Sequence, residues 1–168
     1  ATLRRQRQMC IRDRSCITLH DFMEPKKQIM VSRSFGRSIR SKSVLSEAIS
    51  FHASRAAEKL RHEKQKCRLI TAFIRSNRFN TRVRQIYAAK SFELVHPTDD
   101  TRIIIKNANR ILDQIFADGY QYAKAGILLS DFTNKYGYQM SLFDRKRDEK
   151  IASRLMETAV SYTHLRAH

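Results

Sequence analysis

The side chains most able to do chemistry in this sequence are cations. Lys and Arg number 33 against 16 Asp and Glu, which gives a formal net charge of +17 at pH 7. Such groups hold phosphates without reading base sequence, so the excess favours nucleic acid as a partner. A solvated or ion-paired surface is the alternative for any single cation. Those on predicted strands and their loops are Arg33, Arg37, Arg40, Lys42, Arg75, Arg78, Arg82, Arg84 and Lys90.

Catalytic and metal chemistry has little support. Asp99 and Asp100 are the adjacent acidic pair of the predicted core, and a helix cap explains them better than a metal site does. The histidines are scattered, without the HxxxH or HExxH spacing of metal sites. Cys67 has no evident activating partner, which favours a buried structural cysteine. We therefore predict no catalytic residue, no metal site and no cofactor in this chain.

Cysteine usage and hydropathy bear on the compartment. The three cysteines have no CxxC spacing, which fits neither a disulfide framework nor a zinc site. No apolar run approaches the roughly 18 residues that span a bilayer. These features predict a cytoplasmic protein with no membrane partner.

Hydrophobic periodicity divides the chain into six elements that would position the cations. Two amphipathic helices are predicted, over about 43–64 and from a cap at Asp99 or Asp100 to a stop at Gly119. Four strands are predicted over 29–35, 67–75, 86–95 and 121–129. This order is the split βαβ pattern, an α+β fold in which a four-stranded sheet carries both helices on one face. The other face is then free to meet a partner.

The boundaries rest on a few residues. Gly36 is expected to end the first strand, and Pro97 the third.

The strings RQRQMCIRDR and VSYTHLRAH near the two ends resemble translated sequencing-adapter read-through. We expect an artefact over 1–14, a linker over 15–28, one folded domain over 29–132, a tail over 133–159 and a second artefact over 160–168. Without the artefacts, 27 basic residues still face 15 acidic ones.

A family resemblance is carried by five segments, KKQIMVSRSFG (26–36), SRAAEKLR (54–61), CRLITAFIRSNRF (67–79), TDDTRIII (98–105) and YAKAGILLSDF (122–132). Together they resemble Y-family translesion DNA polymerases of the UmuC/ImpB type, the polymerase V catalytic subunits. The resemblance runs over about 15–159 and implies the little-finger domain with the C-terminal extension that follows it. The segment 77–89 departs from the family pattern because it is more basic and lacks the expected Pro-Phe and Gly-Asn features.

The resemblance implies duplex DNA binding without sequence preference, in error-prone lesion bypass during DNA repair and the SOS response. In that family the SRSFG strand lies at the DNA backbone, which implies contacts from Arg33, Ser34, Phe35 and Gly36. The cation cluster and its polar neighbours add Arg37, Arg75, Ser76, Arg78 and Lys90 to the predicted DNA-binding residues. The partners implied are template–primer duplex, a sliding clamp and polymerase accessory subunits. The catalytic carboxylates and their Mg²⁺ would belong to a palm domain that precedes these residues in the family.

A short motif lies in the predicted tail. Gln139-Met140-Ser141-Leu142-Phe143 resembles the QxxLF peptide by which replication proteins dock on the sliding clamp. Gln139 would supply a polar anchor, while Leu142 and Phe143 would fill an apolar pocket. An ordinary hydrophobic contact of the tail with its own domain is the alternative. We predict that these three residues bind the clamp.

Two other functions stay open. The chain could be a protein-interaction module whose sheet binds a regulatory partner. It could also be an RNA-binding domain of the same topology, which would need exposed aromatic side chains on its central strands for base stacking. The salt dependence of binding, and the part played by Phe73 or Tyr87, would discriminate among the three.

Overall fold

Six elements make up the folded region, in the order predicted. The computed structural model describes residues 25–80 and 82–134. The elements are β1 (Gln28–Ile39), α1 (Lys42–His62), β2 (Gln65–Arg75), β3 (Tyr87–Thr98), α2 (Thr101–Ile115) and β4 (Tyr122–Asn134). The strands form one antiparallel sheet in the order β1-β4-β2-β3. The predicted α+β class and element order are confirmed.

Both helices pack on the same face of the sheet, which we call the helix face. α1 contacts β1, β4 and β2, α2 contacts β2 and β3, and the two helices contact each other. The core between helices and sheet is built from Ala, Leu and Ile side chains, including Leu45, Ile49, Ile70, Ile104 and Ile127, all fully buried. The opposite face of the sheet, the open face, carries no helix of the described chain.

The register assigns each strand residue to a face, because side chains alternate and cross-strand partners share a side. Ile74 of β2 lies opposite Ala125 of β4, and both are buried on the helix face. Arg75 and Lys124 are the next pair along these strands and therefore lie on the open face.

The two edge strands are irregular in the same way. In β1 the register shifts between Ser34 and Ile39, and in β3 it shifts between Glu93 and Thr98. Bulges of this kind twist an edge and discourage pairing with other chains. Gly36 and Pro97 lie inside these shifts, so each strand continues past the residue expected to end it. β4 likewise runs on to Asn134, beyond the predicted end at residue 129.

Helix α2 begins as expected and ends earlier. Asp100 is its N-cap, and a carboxylate oxygen accepts a hydrogen bond from the Arg102 N–H at 2.8 Å. Burial alone would raise the pKa of the Asp100 carboxyl, but hydrogen bonds from Arg102 and from the Ile103 N–H, with the positive charge of Arg102, hold it below its usual value. The prediction that Gly119 ends the helix is wrong, since α2 ends at Ile115. Gly119, with φ of 84°, provides the left-handed residue of the loop before β4.

None of the helices in the described part of the chain is long and apolar enough to cross a bilayer. Residues 25–80 and 82–134 also bring together no group of three His, Cys, Asp or Glu side chains that could hold a metal ion.

Candidate nucleic-acid interface

Cations concentrate at one end of the sheet. Antiparallel pairing brings together the end of β1, the start of β4, the end of β2 and the start of β3. A cation–π contact confirms that the adjoining loops meet there, since the Arg84 guanidinium lies 5.1 Å from the Tyr120 ring centroid. We call this region the cationic end and define it by Arg37, Arg40, Arg75, Arg78, Arg82 and Lys124.

The cationic end lacks neutralising carboxylates. The segments that form it, 33–41, 75–92 and 119–130, contain no acidic residue. Within residues 25–80 and 82–134, none of its six cations forms an ion pair, whereas carboxylates elsewhere do engage cations. Those other pairs are Lys26–Glu63, Lys42–Asp113, Arg55–Glu58, Arg68–Glu93 and Arg102–Asp100. Lys42, a cation of the predicted cluster, is therefore paired inside the domain. Arg84, another, is held by its contact with the Tyr120 ring.

The centre of the cationic end is a row of four residues across the open face. Ser34, Lys124, Arg75 and Tyr87 are successive cross-strand partners on β1, β4, β2 and β3. Lys124 and Arg75 are directly opposite each other, and like charges in that relation destabilise a sheet. A bound anion between them would relieve the repulsion. Lys124 was missing from the predicted site because its sequence, YAKAGILL, predicts a strand but not which residue lies opposite Lys124. Its pairing with Arg75 follows from the register of the sheet.

The next row of the open face is made of small residues and one ring. Ser32, Gly126, Phe73 and Ala89 are partners across the four strands. A Cβ placed on Gly126 would lie 2.6 Å from Phe73 Cζ and 2.4 Å from Ser32 Cβ. The far end of the Phe73 ring therefore lies over Gly126, and the residue is half-buried. Phe73 and Ser32 thus fill the space that a side chain at Gly126 would need.

The predicted residues of β1 divide between the two sides of the sheet. Ser34 lies on the open face beside Lys124, whereas Arg33 is opposite Ala125 on the helix face. Phe35 packs against the core, while Gly36 and Arg37 are exposed in the register shift. The expectation that Arg33 shares a surface with Arg75 is therefore wrong, because the period of two places them on opposite sides of the sheet.

Arg33 lies instead near α1. Burial, and then the positive charge of Arg33, lower the pKa of His52 on that helix. His52 is buried, and neither ring nitrogen has a hydrogen-bond partner among the described residues. Lys90, at the other edge of the sheet, is opposite the buried Ala72 and so also belongs to the helix face. Both cations are exposed at the sheet edges and can reach a ligand only around those edges.

Ser76, a predicted DNA contact, has a structural role at the base of the β2–β3 loop. Ser76 is only 2% exposed. Its hydroxyl donates to Gln85 Oε1 at 3.1 Å or to the Ile86 carbonyl at 3.2 Å, and accepts from the Ile86 N–H at 2.9 Å. This hydroxyl holds the base of the loop and is not available to a phosphate. Arg78, two residues on, is exposed.

Cys67 is the buried structural cysteine that was expected. Its thiol donates to the Thr98 carbonyl at 3.4 Å, and burial raises its pKa to about 12. The group is therefore a neutral thiol at pH 7 and a poor nucleophile.

The predicted clamp-binding residues Gln139, Leu142 and Phe143 lie outside the described residues.

Comparison with known proteins gives the family. The C-terminal domain of the impB/mucB/samB family matches residues 26–142. Protein SamB of Salmonella typhimurium is 41% identical over 150 residues, covering 89% of this chain and 35% of SamB. Protein ImpB of the same organism is 42% identical over 144 residues, covering 86% of this chain and 34% of ImpB. The chain thus spans about a third of the length of these relatives.

Solved structures share the fold. A post-insertion binary complex of Dbh DNA polymerase matches with a TM-score of 0.53 and 12% identity, over 64% of this chain and 29% of that one. A DinB family error prone DNA polymerase from Sulfolobus solfataricus gives a TM-score of 0.50 and 12% identity, over 61% of this chain and 28% of that one. On the identity and coverage of its relatives, this chain belongs to the impB/mucB/samB family and carries the family's C-terminal domain.

Proposed function

We propose that this domain binds duplex DNA through phosphate contacts, without base-sequence preference, as the little-finger part of an error-prone lesion-bypass DNA polymerase. The observation that carries the proposal is the cationic end, where six cations gather without carboxylate partners among the described residues. A strongly cationic surface raises the local concentration of a polyanion and its rate of association. Contacts made only to phosphates grip any sequence equally well.

The shape of the open face supports the same ligand. Ser32 and Ala89 have small side chains, so a sugar-phosphate backbone could approach the open face at these two positions beside the Arg75–Lys124 row. Ser34 could add a neutral hydrogen bond to the same phosphates. We retain Ser34, Gly36, Arg37, Arg75 and Arg78 from the predicted contacts, add Lys124, and place Arg33 and Lys90 at the edges of the surface.

RNA has less support as the ligand of this domain. An RNA-binding domain of this topology stacks bases on aromatic side chains that stand free on the central strands. Phe73, the aromatic residue at the centre of this sheet, lies against Gly126 instead. Tyr87 is 70% exposed, but it lies on the edge strand β3.

The salt dependence of the affinity tests the proposal. We expect the full chain to bind two duplexes of unrelated sequence and equal length with the same affinity. The logarithm of the association constant should fall linearly with the logarithm of salt concentration, with a slope of about −0.9 for each phosphate contacted. Four to six contacts would give a slope of roughly −4 to −5. Fluorescence anisotropy between about 50 and 200 mM salt measures it. A flat salt response would favour the protein-partner alternative.

We also propose that the tail docks on a sliding clamp through Gln139, Leu142 and Phe143, on the strength of the motif. Phe143→Ala should weaken clamp binding about thirtyfold, the usual loss for a central aromatic anchor, and leave DNA affinity unchanged. Surface plasmon resonance on immobilised clamp measures the first quantity and anisotropy the second. Met140→Ala, a change at a variable position of the motif, is the matched control. Equal clamp affinity in the two variants would remove the assignment.

The parent protein in this proposal is a cytoplasmic DNA-directed DNA polymerase of the repair and SOS response. Its palm domain would hold the catalytic carboxylates and Mg²⁺, and accessory subunits would join it. The present domain would then hold the template–primer duplex while damaged template passes the active site.

A further inference from the structure

The tip of the β2–β3 loop presents an aromatic ring to solvent. Phe79 is 94% exposed, the most exposed large hydrophobic residue in the described chain. A ring of this size in water forgoes the stabilisation that burial would give it. Two exposed arginines, Arg78 and Arg82, flank it in sequence. A single exposed apolar side chain is common on protein surfaces, so the backbone and the charges around Phe79 decide what the ring could contact.

The exposure of Phe79 is built into the loop. The Phe79 N–H donates to Asn77 Oδ1 at 3.0 Å, and the Arg82 N–H donates to Asn80 Oδ1 at 3.1 Å. Gln85 Nε2 donates to the carbonyls of Asn77 and Asn80, both at 2.8 Å. These bonds tie the tip to the base of the loop, where Ser76 is buried. The backbone is thereby held in a shape that turns Phe79 away from the domain.

The surroundings of the loop decide between ligands. It belongs to the cationic end, and segment 75–92 has five Arg and Lys before Phe92 but no acidic residue. An apolar protein groove could take the Phe79 ring but would gain nothing from Arg78 and Arg82, which form no ion pair among the described residues. A nucleic acid uses both, because its phosphates meet the guanidinium groups while a base stacks on the ring. In an intact duplex the bases are already stacked, and entry of a side chain costs a few kcal/mol per step.

We propose that Phe79 stacks on an unpaired base of the single-stranded template that adjoins the bound duplex, while Arg78 and Arg82 hold the flanking phosphates. The inference rests on the proposed function, since the cationic end must first hold the duplex. With this contact, the domain would bind preferentially where double-stranded DNA meets the single-stranded template. The contact is indifferent to base identity, because every base has a π-face.

Two DNA substrates separate this inference from the proposed function. Phe79→Ala in the full chain should leave the affinity for a blunt duplex unchanged and weaken binding to the same duplex with a single-stranded 5′ overhang by roughly 5- to 100-fold, the effect of one lost base stack. Phe79→Tyr, which keeps a ring, should restore the preference for the overhang. If the parent chain does not bind the blunt duplex, the proposed function fails. If it does bind, and Phe79→Ala binds both substrates as the parent does, only the present inference fails.

A fluorescent reporter tests the contact directly. The chain contains no tryptophan, so Phe79→Trp introduces a single indole at the proposed stacking position. Its emission should be quenched on binding the overhang substrate and much less on the blunt duplex. Phe51→Trp, at another exposed aromatic position on α1, is the matched control and should respond equally to both. A residue-79 indole that responds to the two substrates alike would overturn the inference, and would point to a general contact of the loop with DNA.

Discussion

Replacing Arg75 and Lys124 together with threonine is expected to weaken duplex DNA binding on the order of a thousandfold at low salt, since each lost charged contact is worth about 1.5–3 kcal/mol. The log–log salt slope should become shallower by about 2, one unit for each phosphate contact removed. The free energy of unfolding should not fall. The two cations are like charges directly opposite each other in the sheet, and threonine is favourable in strands.

A loss of DNA affinity without a loss of stability distinguishes loss of the site from loss of the fold. Urea denaturation of the double variant measures stability, and anisotropy measures binding. Lys59→Ala/Lys106→Ala, on the two helices, removes the same number of positive charges from exposed positions and serves as the control. If this control loses as much DNA affinity as the strand pair does, net charge and not the cationic end governs binding.

Gly126→Val is expected to destabilise the domain by about 3 kcal/mol, the upper part of the usual range for added volume at a packed position. The new side chain would meet Ser32 Cβ on one side and the Phe73 ring on the other, both well inside van der Waals contact. Gly126 does not have a positive φ, so the cost is steric and not conformational. Guanidinium denaturation at constant m-value measures it.

A double-mutant cycle assigns that cost to the ring. Phe73→Ala opens the space above residue 126 at the expense of its own packing. The combined variant should be more stable than the sum of the single changes predicts, with a coupling energy of at least about 1 kcal/mol. Purely additive losses of stability would show that Phe73 does not limit the space at residue 126. Ser32 of β1 would then be the neighbour that does. Gly36→Val is a useful comparison, because a Cβ on Gly36 meets no atom within 4 Å.

Periodicity is enough to predict the elements and their order. Alternating apolar residues in β1 and the stripe of α2 depend only on which side of each element is buried, and hydrophobic burial determines that locally. The boundaries follow less well, because they depend on neighbours. Pro97 is tolerated within β3 since that strand is at the edge, where a lost ladder hydrogen bond is cheap. Strand order, which sequence alone does not give, makes it an edge.

The candidate site shows the same division. The cationic loops are visible in the sequence, and strand pairing brings Arg37, Arg75 and Arg78 to the same end of the sheet. Lys124 joins them only through the register with Arg75. Ser76 leaves the set because its hydroxyl is used inside the loop, a matter of hydrogen-bond geometry that residue type does not reveal. The side of Arg33 could have been predicted correctly from the sequence, because Arg33 is two residues from Val31 and alternation puts both on the same side of the strand.

The position of β4 has a consequence for how the protein is made. It comes last among the strands in chain order, yet it lies between β1 and β2 and pairs with both along most of its length. A nascent chain leaving the ribosome therefore exposes two unfinished strand edges until residues 122–134 have been synthesised. Such edges invite pairing with other chains. Biosynthesis of this domain thus passes through an aggregation-prone interval that ends only when its final strand inserts.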